Sequence, residues 1–282
     1  MGARPNRSGN DARRGAGLAA KVNLGQNGAE GDRVADLQAQ SWATMPALIA
    51  AVQAAGDGIG LPYIAAQADL GDPEPMADAD GRPYAETSFC WIDPDHAYWR
   101  DRKLALHIAF LTAARLTAEA FYYSDGQLRT WRATQLLDAV DCEQAKNTPN
   151  FGEAIIAPVH LPRGLVGAVF WCSREPVGVA ALFDRHAGDL HNLALKLVAT
   201  HNEARGRPRN ATVPQTLTRR EVQCLRWAAA GKTDGEIGII LTLSVSTVRF
   251  HLRNAAAKLG ATGRAQSIQI AAGLGFVGAR AA

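Results

Sequence analysis

The spacing of apolar residues changes along the chain, from mixed helical and alternating patterns up to residue 204 to purely helical patterns near the carboxyl end. Helical spacing predicts helices over residues 34–55, 94–120 and 177–204. Alternation and short apolar runs, with turn signals at Asp125-Gly126 and Pro162-Arg163-Gly164, predict a strand over 61–70, a hairpin over 121–131 and two strands over 153–173. The order α-β-α-β-β-β-α predicts an α/β/α sandwich, in which helices cover both faces of one mixed or antiparallel sheet.

Two polar segments flank this region. Residues 1–33 are rich in Gly, Asn, Arg and Ala and hold few large apolar residues, so they cannot bury enough surface to offset the entropy of ordering. We expect them to form a disordered tail. Residues 205–214 contain Gly and two Pro and are typical of a linker. The sequence therefore predicts an α/β/α domain over 34–204 and an all-α domain over 215–282, which together give a chain of the α+β class.

The carboxyl-terminal domain carries start signals for successive short helices. Two threonines with a glutamate three residues further on match the capping box: Thr218 with Glu221, and Thr233 with Glu236. Ser244 is placed to cap a third helix, and a fourth is predicted over about 263–273. Because only the turn Thr-Leu-Ser separates the second and third helices, the pattern predicts a helix-turn-helix within a four-helix domain.

The third predicted helix has two contrasting faces. Its apolar residues recur at helical spacing: Val248, Leu252, Ala255 and Leu259. The opposite face carries a hydroxyl, two guanidinium groups and a ring: Ser246, Arg249, Phe250 and Arg253. Such a helix fits the major groove of DNA, where arginine forms bidentate contacts with guanine and an apolar ring contacts the thymine methyl group. The candidate DNA-binding residues are Lys232, Ser246, Thr247, Arg249, Phe250, Arg253, Asn254, Lys258 and Arg264. An ordinary three-helix packing unit with arginine on its solvated face is the alternative.

The distribution of charge agrees with a nucleic-acid partner. The whole chain has a formal net charge of +3, but from Arg205 onward 12 lysines and arginines stand against three acidic residues, a net charge of +9. The remaining residues, 18 basic against 24 acidic, carry −6. A basic segment attached to an acidic body is the charge pattern of a nucleic-acid-binding module, although a merely solvated surface could also be basic.

Other functions find little support in the sequence. The four cysteines are scattered, which indicates reduced thiols in a cytoplasmic protein, and the apolar runs are too short to span a membrane. Gly231-Lys232-Thr233 resembles the end of a phosphate-binding loop, but Arg226 stands where that loop requires glycine. The sequence holds neither a Ser/His/Asp or Cys/His arrangement nor metal-ligand spacing. We therefore expect no enzyme activity, no metal site and no cofactor.

Residues 217–271 resemble the LuxR-type (GerE-like) DNA-binding domain, in the branch carried by quorum-sensing receptors. The matching residues run in order through the segment: Leu217, Thr218, Glu221, Leu225, Gly231, Lys232, Glu236, Ile237, Leu241, Ser244, Thr247, Val248, His251, Lys258, Leu259, Arg264 and Ala265. The resemblance implies base contacts from Arg249, Phe250 and Arg253, and dimerisation through the last helix. Thr242 stands where the family often has glycine, so we expect a slightly different turn, because a β-branched residue is strained at positive φ. Gly238 replaces the usual alanine at a helix crossing.

Residues 34–204 resemble the autoinducer-binding sensor domain of the same receptors, best around Pro158, Gly164 and Gly167. The resemblance implies an apolar pocket between the sheet and a helical layer that holds an acyl-homoserine lactone. The candidate pocket residues are aromatic, although the same residues suit an ordinary core: Tyr63, Trp91, Trp99, Tyr122 and Trp131.

The positions that hold the lactone in the family are substituted. With Trp99 as the anchor, the family's Tyr and Asp fall on Lys103 and Thr112. With Trp91 as the anchor, they fall on Asp95 and Leu104. Since none of these side chains carries the expected chemistry, the sequence favours a different ligand, or no ligand.

Together these patterns predict a ligand-responsive transcriptional regulator of the LuxR type. We expect it to bind a roughly palindromic site in double-stranded DNA as a homodimer, and to contact RNA polymerase if it is an activator. Its signal would be a small molecule such as an acyl-homoserine lactone or another amphiphile. The alternative is a ligand-independent LuxR-type protein that forms a heterodimer with a related regulator and inhibits it.

Overall fold

The computed structural model describes residues 15–72, 74–92, 109–146, 151–206 and 216–278. In the amino-terminal part the helices are α1 (Gly15–Ile59), α2 (Tyr84–Thr87), α3 (Ala109–Leu116), α4 (Gln135–Asp138), α5 (Glu143–Lys146) and α6 (Val179–Ala204). The strands are β1 (Tyr63–Gln67), β2 (Phe121–Ser124), β3 (Gln127–Arg129), β4 (Ala154–Leu161) and β5 (Leu165–Cys172). The carboxyl-terminal helices are α7 (Arg219–Ala229), α8 (Asp234–Leu241), α9 (Val245–Leu259) and α10 (Arg264–Gly273).

The five strands form one sheet in the order β1-β5-β4-β2-β3, and every described pair is antiparallel. Of the two sheet types that the sequence left open, the antiparallel one is therefore confirmed. Turns form at both positions where the sequence predicts them. Asp125 and Gly126 both have positive φ, 52° and 77°, in the turn between β2 and β3. The 3₁₀ turn Pro162–Gly164 joins β4 directly to β5, so that Leu161 pairs with Leu165.

Helices cover both faces of this sheet. On one face α6 packs against β4 and β5, and α1 packs against α6 and β1, around a core that includes the fully buried Trp171, whose indole N–H donates to the Val52 carbonyl oxygen at 3.0 Å. On the other face α3 packs over a second core that contains the rings of Phe110, Tyr123 and Phe170. The predicted α/β/α sandwich is confirmed.

A buried carboxylate connects the sheet to the start of α6. Glu153, just before β4, accepts hydrogen bonds from the backbone N–H groups of Val177 and Val179 at 2.7 and 3.0 Å, and from the Ser124 hydroxyl at 2.7 Å. The N-cap residue Gly178 offers no side chain for this purpose. Glu153 therefore satisfies the free N–H groups at the start of α6 from another element.

Three segments differ from the prediction. Helical backbone begins at Gly15 rather than after a tail ending at residue 33, and continues to Ile59, because a helix extends from a packed segment at one hydrogen bond per residue. Residues 1–14 lie outside the described residues. Of the helix predicted over 94–120, residues 94–108 lie outside the described residues, and the described part, Ala109–Leu116, ends four residues before the predicted end. The short helix α2 has no counterpart among the predicted elements.

The carboxyl-terminal domain packs α7, α8, α9 and α10 around a small core. Leu225, Val248 and Ala255 are fully buried at its centre, together with Ile237. Only part of the predicted linker, Arg205 and Gly206, lies within the described residues. The chain thus combines an antiparallel α/β/α region with an all-helical region, as the sequence predicts.

Candidate DNA interface

Local capping sets where the helices of the carboxyl-terminal domain begin. The Thr218 hydroxyl accepts the Glu221 N–H at 3.3 Å, and the Glu221 carboxylate accepts the Thr218 N–H at 2.7 Å. Thr233 and Glu236 form the same reciprocal pair at the start of α8. The Ser244 hydroxyl accepts the Thr247 N–H at 3.1 Å at the start of α9. All three predicted caps are confirmed.

The turn between α8 and α9 holds a threonine in left-handed backbone. Thr242 has φ 56° and ψ 50°, so the turn keeps the conformation that suits glycine and the threonine is strained. The expectation of a slightly different turn at this position is therefore wrong. The Leu243 N–H donates to the Gly238 carbonyl oxygen at 2.8 Å, which holds the chain close to α8. A Cβ at residue 238 would lie 2.7 Å from the Leu243 carbonyl oxygen, so glycine permits this approach.

Helix α9 places its two faces as the sequence predicts. Val248, Ala255 and Leu259 are buried against α7, α8 and α10. On the opposite face the side chains are exposed: Ser246, Arg249, Phe250 and Arg253. The exposed fraction of Phe250 is 51%, which is unusual for a phenylalanine and leaves its ring available for contact. We call these four residues the recognition stripe.

An aspartate on α8 links two of the candidate arginines. The Asp234 carboxylate accepts from Arg249 Nε at 3.2 Å and from Arg264 Nη1 at 2.5 Å. Arg264 also donates to the Lys232 carbonyl oxygen. The Lys232 ammonium lies 3.5 Å from the Glu236 carboxylate. The structure thus brings Lys232, Arg249 and Arg264 together beside the amino terminus of α8.

Lys258 does not belong to this group. Its ammonium donates to the Glu221 carboxylate at 2.9 Å and to the Thr216 carbonyl oxygen at 3.4 Å, and its side chain is only 24% exposed. Burial acts to raise the pKa of Glu221, but hydrogen bonds from Lys258 and Thr218 outweigh it, so the pKa lies below its ordinary value. A lysine that neutralises a buried carboxylate is poorly placed for phosphate, so the geometry favours a structural role over the predicted one.

The aromatic residues proposed for a ligand pocket do not converge. Tyr63 and Trp91 border the core under α3, whereas Tyr122 lies on the other face of the sheet, with its ring 5.0 Å from that of Phe183. Trp131 is 70% exposed, and Trp99 lies outside the described residues. Successive residues of β2 point to opposite faces, so Tyr122 faces α6 while Tyr123 faces the core under α3. The sequence alone does not show which of the two tyrosines shares a face with Tyr63.

Three of the four cysteines are buried and all four are free thiols: Cys90, Cys142, Cys172 and Cys224. Within the described ranges, no His, Cys, Asp and Glu side chains cluster in a way that could hold a metal ion. No helix in the described part of the chain is long and apolar enough to cross a membrane.

A capped helix, a tight turn and a second helix with an exposed basic stripe define a helix-turn-helix domain of the DNA-binding class. Residues 215–271 match the family described as "Bacterial regulatory proteins, luxR family". This carboxyl-terminal segment is therefore a LuxR-type helix-turn-helix domain, as the residues on α7, α8 and α9 predict.

Similar proteins are transcriptional regulators. "Transcriptional activator protein VanR" of Vibrio anguillarum is 38% identical over 115 residues, which cover 39% of this chain and 46% of VanR. "HTH-type quorum sensing-dependent transcriptional regulator VjbR" of Brucella abortus is 48% identical over 66 residues, 23% of this chain and 26% of VjbR. The chain thus matches less than half the length of these relatives. The structure of "SdiA in complex with octanoyl-rac-glycerol" aligns with 88% of this chain and 97% of that chain, at 18% identity and a TM-score of 0.41.

Proposed function

We propose that the protein is a ligand-responsive transcriptional regulator that binds a roughly palindromic DNA site as a dimer. The observation that carries the proposal is the recognition stripe. It exposes two arginines, a serine and a phenylalanine on α9, while the other face of the same helix is buried in a LuxR-type domain. The relatives VanR and VjbR are named as transcriptional regulators.

The stripe supplies the contacts that a duplex requires. Arg249 and Arg253 can each form a bidentate contact with guanine or reach a phosphate, and the Phe250 ring can pack on a thymine methyl group. The Ser246 and Thr247 hydroxyls lie in the first turn of α9, where backbone N–H groups favour anionic oxygen. Asn254, half-buried on the same helix, lies one residue beyond the stripe and remains a predicted contact.

A dimer follows from the geometry of DNA. Two recognition helices enter successive major grooves when they are about one helical turn, or roughly 34–36 Å, apart, so a two-fold protein selects a palindromic site. We propose that α10 supplies the contact between subunits, as the resemblance implies. In an activator the same dimer would also contact RNA polymerase, and the protein would act in the cytoplasm.

The response to a ligand belongs to the amino-terminal domain. VjbR and "HTH-type quorum sensing-dependent transcriptional regulator RpaR" carry quorum sensing in their names, and this supports a small-molecule signal. The scattered aromatic residues and the substituted lactone positions favour an amphiphile other than an acyl-homoserine lactone. A signal that stabilises this domain or its dimer would raise DNA occupancy through a coupling free energy. Inhibition of a related regulator through heterodimer formation is less well supported, because a protein that only blocks its partner does not need a recognition stripe.

Binding-site selection tests the proposal. The full-length protein, purified from its native host, is incubated with a randomised duplex library, with and without a small-molecule extract of that host. We expect enrichment of a two-fold-symmetric sequence whose half-sites lie about one helical turn apart. Failure to enrich any sequence under either condition would contradict the proposal. Equal enrichment with and without extract would support sequence-specific DNA binding and contradict the proposed response to a ligand.

A further inference from the structure

Arg249 is held by an acidic residue from another helix. Asp234 is the first residue of α8, and its Oδ2 atom accepts from Arg249 Nε at 3.2 Å. Its Oδ1 atom accepts from Arg264 Nη1 at 2.5 Å. One carboxylate thus connects α8 to both α9 and α10, and each of its oxygen atoms is used.

The exposed fractions show which part of the arginine remains available. The Asp234 side chain is 23% exposed, whereas that of Arg249 is 71% exposed, so the carboxylate lies beneath the guanidinium and the guanidinium faces outward. Within the described parts of the chain, Arg249 bonds Asp234 through Nε, and its two terminal nitrogens are left for an outside partner. A guanidinium presents five N–H groups in a fixed plane. An end-on bidentate contact with guanine O6 and N7 uses the two terminal nitrogens and leaves Nε for Asp234.

The same carboxylate weakens attraction to DNA in general. It sets one negative charge among Lys232, Arg249 and Arg264, and attraction to any duplex depends on the positive charge presented to phosphate. In return it restricts the rotamers of Arg249, and a side chain ordered before binding loses less entropy when the complex forms. Asp234 therefore lowers the affinity for DNA in general and favours the specific contact that Arg249 makes.

We infer that Asp234 is a positioning residue for sequence readout: it holds Arg249 by Nε and directs the two terminal nitrogens toward the base edges. This inference rests on the proposed function, since it requires that α9 contacts DNA. It adds Asp234, which lies outside the recognition stripe, to the residues that determine base preference. It also pairs Arg264, a candidate DNA contact, with Asp234 inside the protein.

Asp234→Asn in the full-length protein tests the inference, because asparagine keeps the shape and removes the charge. Affinity is measured for the selected site, for that site with a changed base pair at the position read by Arg249, and for random DNA. We expect discrimination between the first two to fall about tenfold, within the range for one bidentate contact. Affinity for random DNA should rise, with a salt dependence steeper by up to about one unit.

Glu236→Gln is the matched control. It removes a charge from the same helix beside Lys232, and glutamine can still close the capping box with Thr233. It should raise affinity for random DNA without lowering discrimination. Asp234→Glu supplies the opposite control, because it keeps the charge and displaces the carboxylate: discrimination should fall while affinity for random DNA stays unchanged.

A double-variant cycle decides whether Asp234 acts through Arg249. In an Arg249→Ala background, Asp234→Asn should leave base discrimination unchanged. The inference is overturned if Asp234→Asn retains full discrimination, or if it lowers discrimination equally in that background. Amide hydrogen exchange over α8, α9 and α10 shows that each variant is folded. If the wild-type protein itself selects no site, the proposed function fails; if it does and Asp234→Asn behaves like it, only the positioning role fails.

Discussion

Lys258 and Arg249 carry the same charge on the same helix, yet they face different surroundings. The Lys258 ammonium pairs with the Glu221 carboxylate, which is 4% exposed, whereas Arg249 extends into solvent. Residue type and helical spacing predicted the exposed position of Arg249 and made Lys258 a candidate DNA contact. They could not predict the pairing of Lys258, because Glu221 lies 37 residues earlier and is brought near only by the packing of α7 against α9.

Replacing Lys258 with methionine should therefore destabilise the domain. It leaves the Glu221 carboxylate buried with only the Thr218 N–H as a donor, and losing the charged hydrogen bond costs about 1–3 kcal/mol. Thermal unfolding of the full-length protein measures the loss, and adding Glu221→Gln should recover a large part of it. An unchanged unfolding temperature, together with weaker binding to every DNA and a smaller salt dependence, would instead assign Lys258 to phosphate.

Thr242→Gly should stabilise the helix-turn-helix. Left-handed backbone costs a non-glycine residue about 1–2 kcal/mol, and glycine loses about 0.5–1 kcal/mol in added chain entropy. The expected net gain is about 0.5–1 kcal/mol, measured by amide hydrogen exchange in α8 and α9. Thr262→Gly is the control, because Thr262 does not have a positive φ. It should not slow amide hydrogen exchange in α8 or α9. Faster exchange in Thr242→Gly would show that the turn is not strained.

At the scale of helices and strands, the elements fixed by neighbouring residues were predictable. The capping boxes of α7 and α8 and the Asp125-Gly126 turn involve residues at most three positions apart, and all formed as expected. The start of α6 was not predictable in the same way. Its N–H groups are satisfied by Glu153, which precedes Val179 by 26 residues and reaches it only because β4 and β5 bring the two together.

Glu153→Gln should loosen the start of α6. The amide keeps one acceptor but loses the negative charge that strengthens the bonds from the Val177 and Val179 N–H groups, at a cost of about 1–2 kcal/mol. Hydrogen exchange of the first turn of α6 reports the change. Glu175→Gln, which alters an exposed neighbour, should leave that exchange as it is in the wild type. Equal exchange in the two variants would contradict the capping role.

Because Glu221 closes the cap of α7 in its ionised form, we expect the domain to lose stability in acid. The pKa of Glu221 in the folded domain lies below its ordinary value of 4.5, so its ionised form contributes stability that is fully present above 4.5. That contribution is lost as the pH falls through the lowered pKa. Thermal unfolding between about pH 5 and pH 3 should show a falling temperature, with a shallower fall in Glu221→Gln. A steeper or unchanged slope in that variant would contradict the assignment.

At the scale of the whole molecule, the sandwich and the helix-turn-helix domain could both be predicted from periodicity and turn residues. The ligand site could not. Its candidates came from aromatic residue type, and a tyrosine or tryptophan suits a core as well as a pocket. In the structure Tyr63 and Tyr122 lie on opposite faces of the sheet, and Trp131 extends into solvent. The basic carboxyl-terminal segment and the acidic remainder agree with the division into two parts.

The central claim is that α9 reads base sequence through its exposed stripe. Arg249→Ala in the full-length protein tests it directly, with competition binding against the selected site, single-base variants of that site and random DNA. We expect specific affinity to fall by about 1–3 kcal/mol and base preference to relax at one position in each half-site, while affinity for random DNA changes far less. An equal loss of affinity for specific and random DNA would contradict the claim.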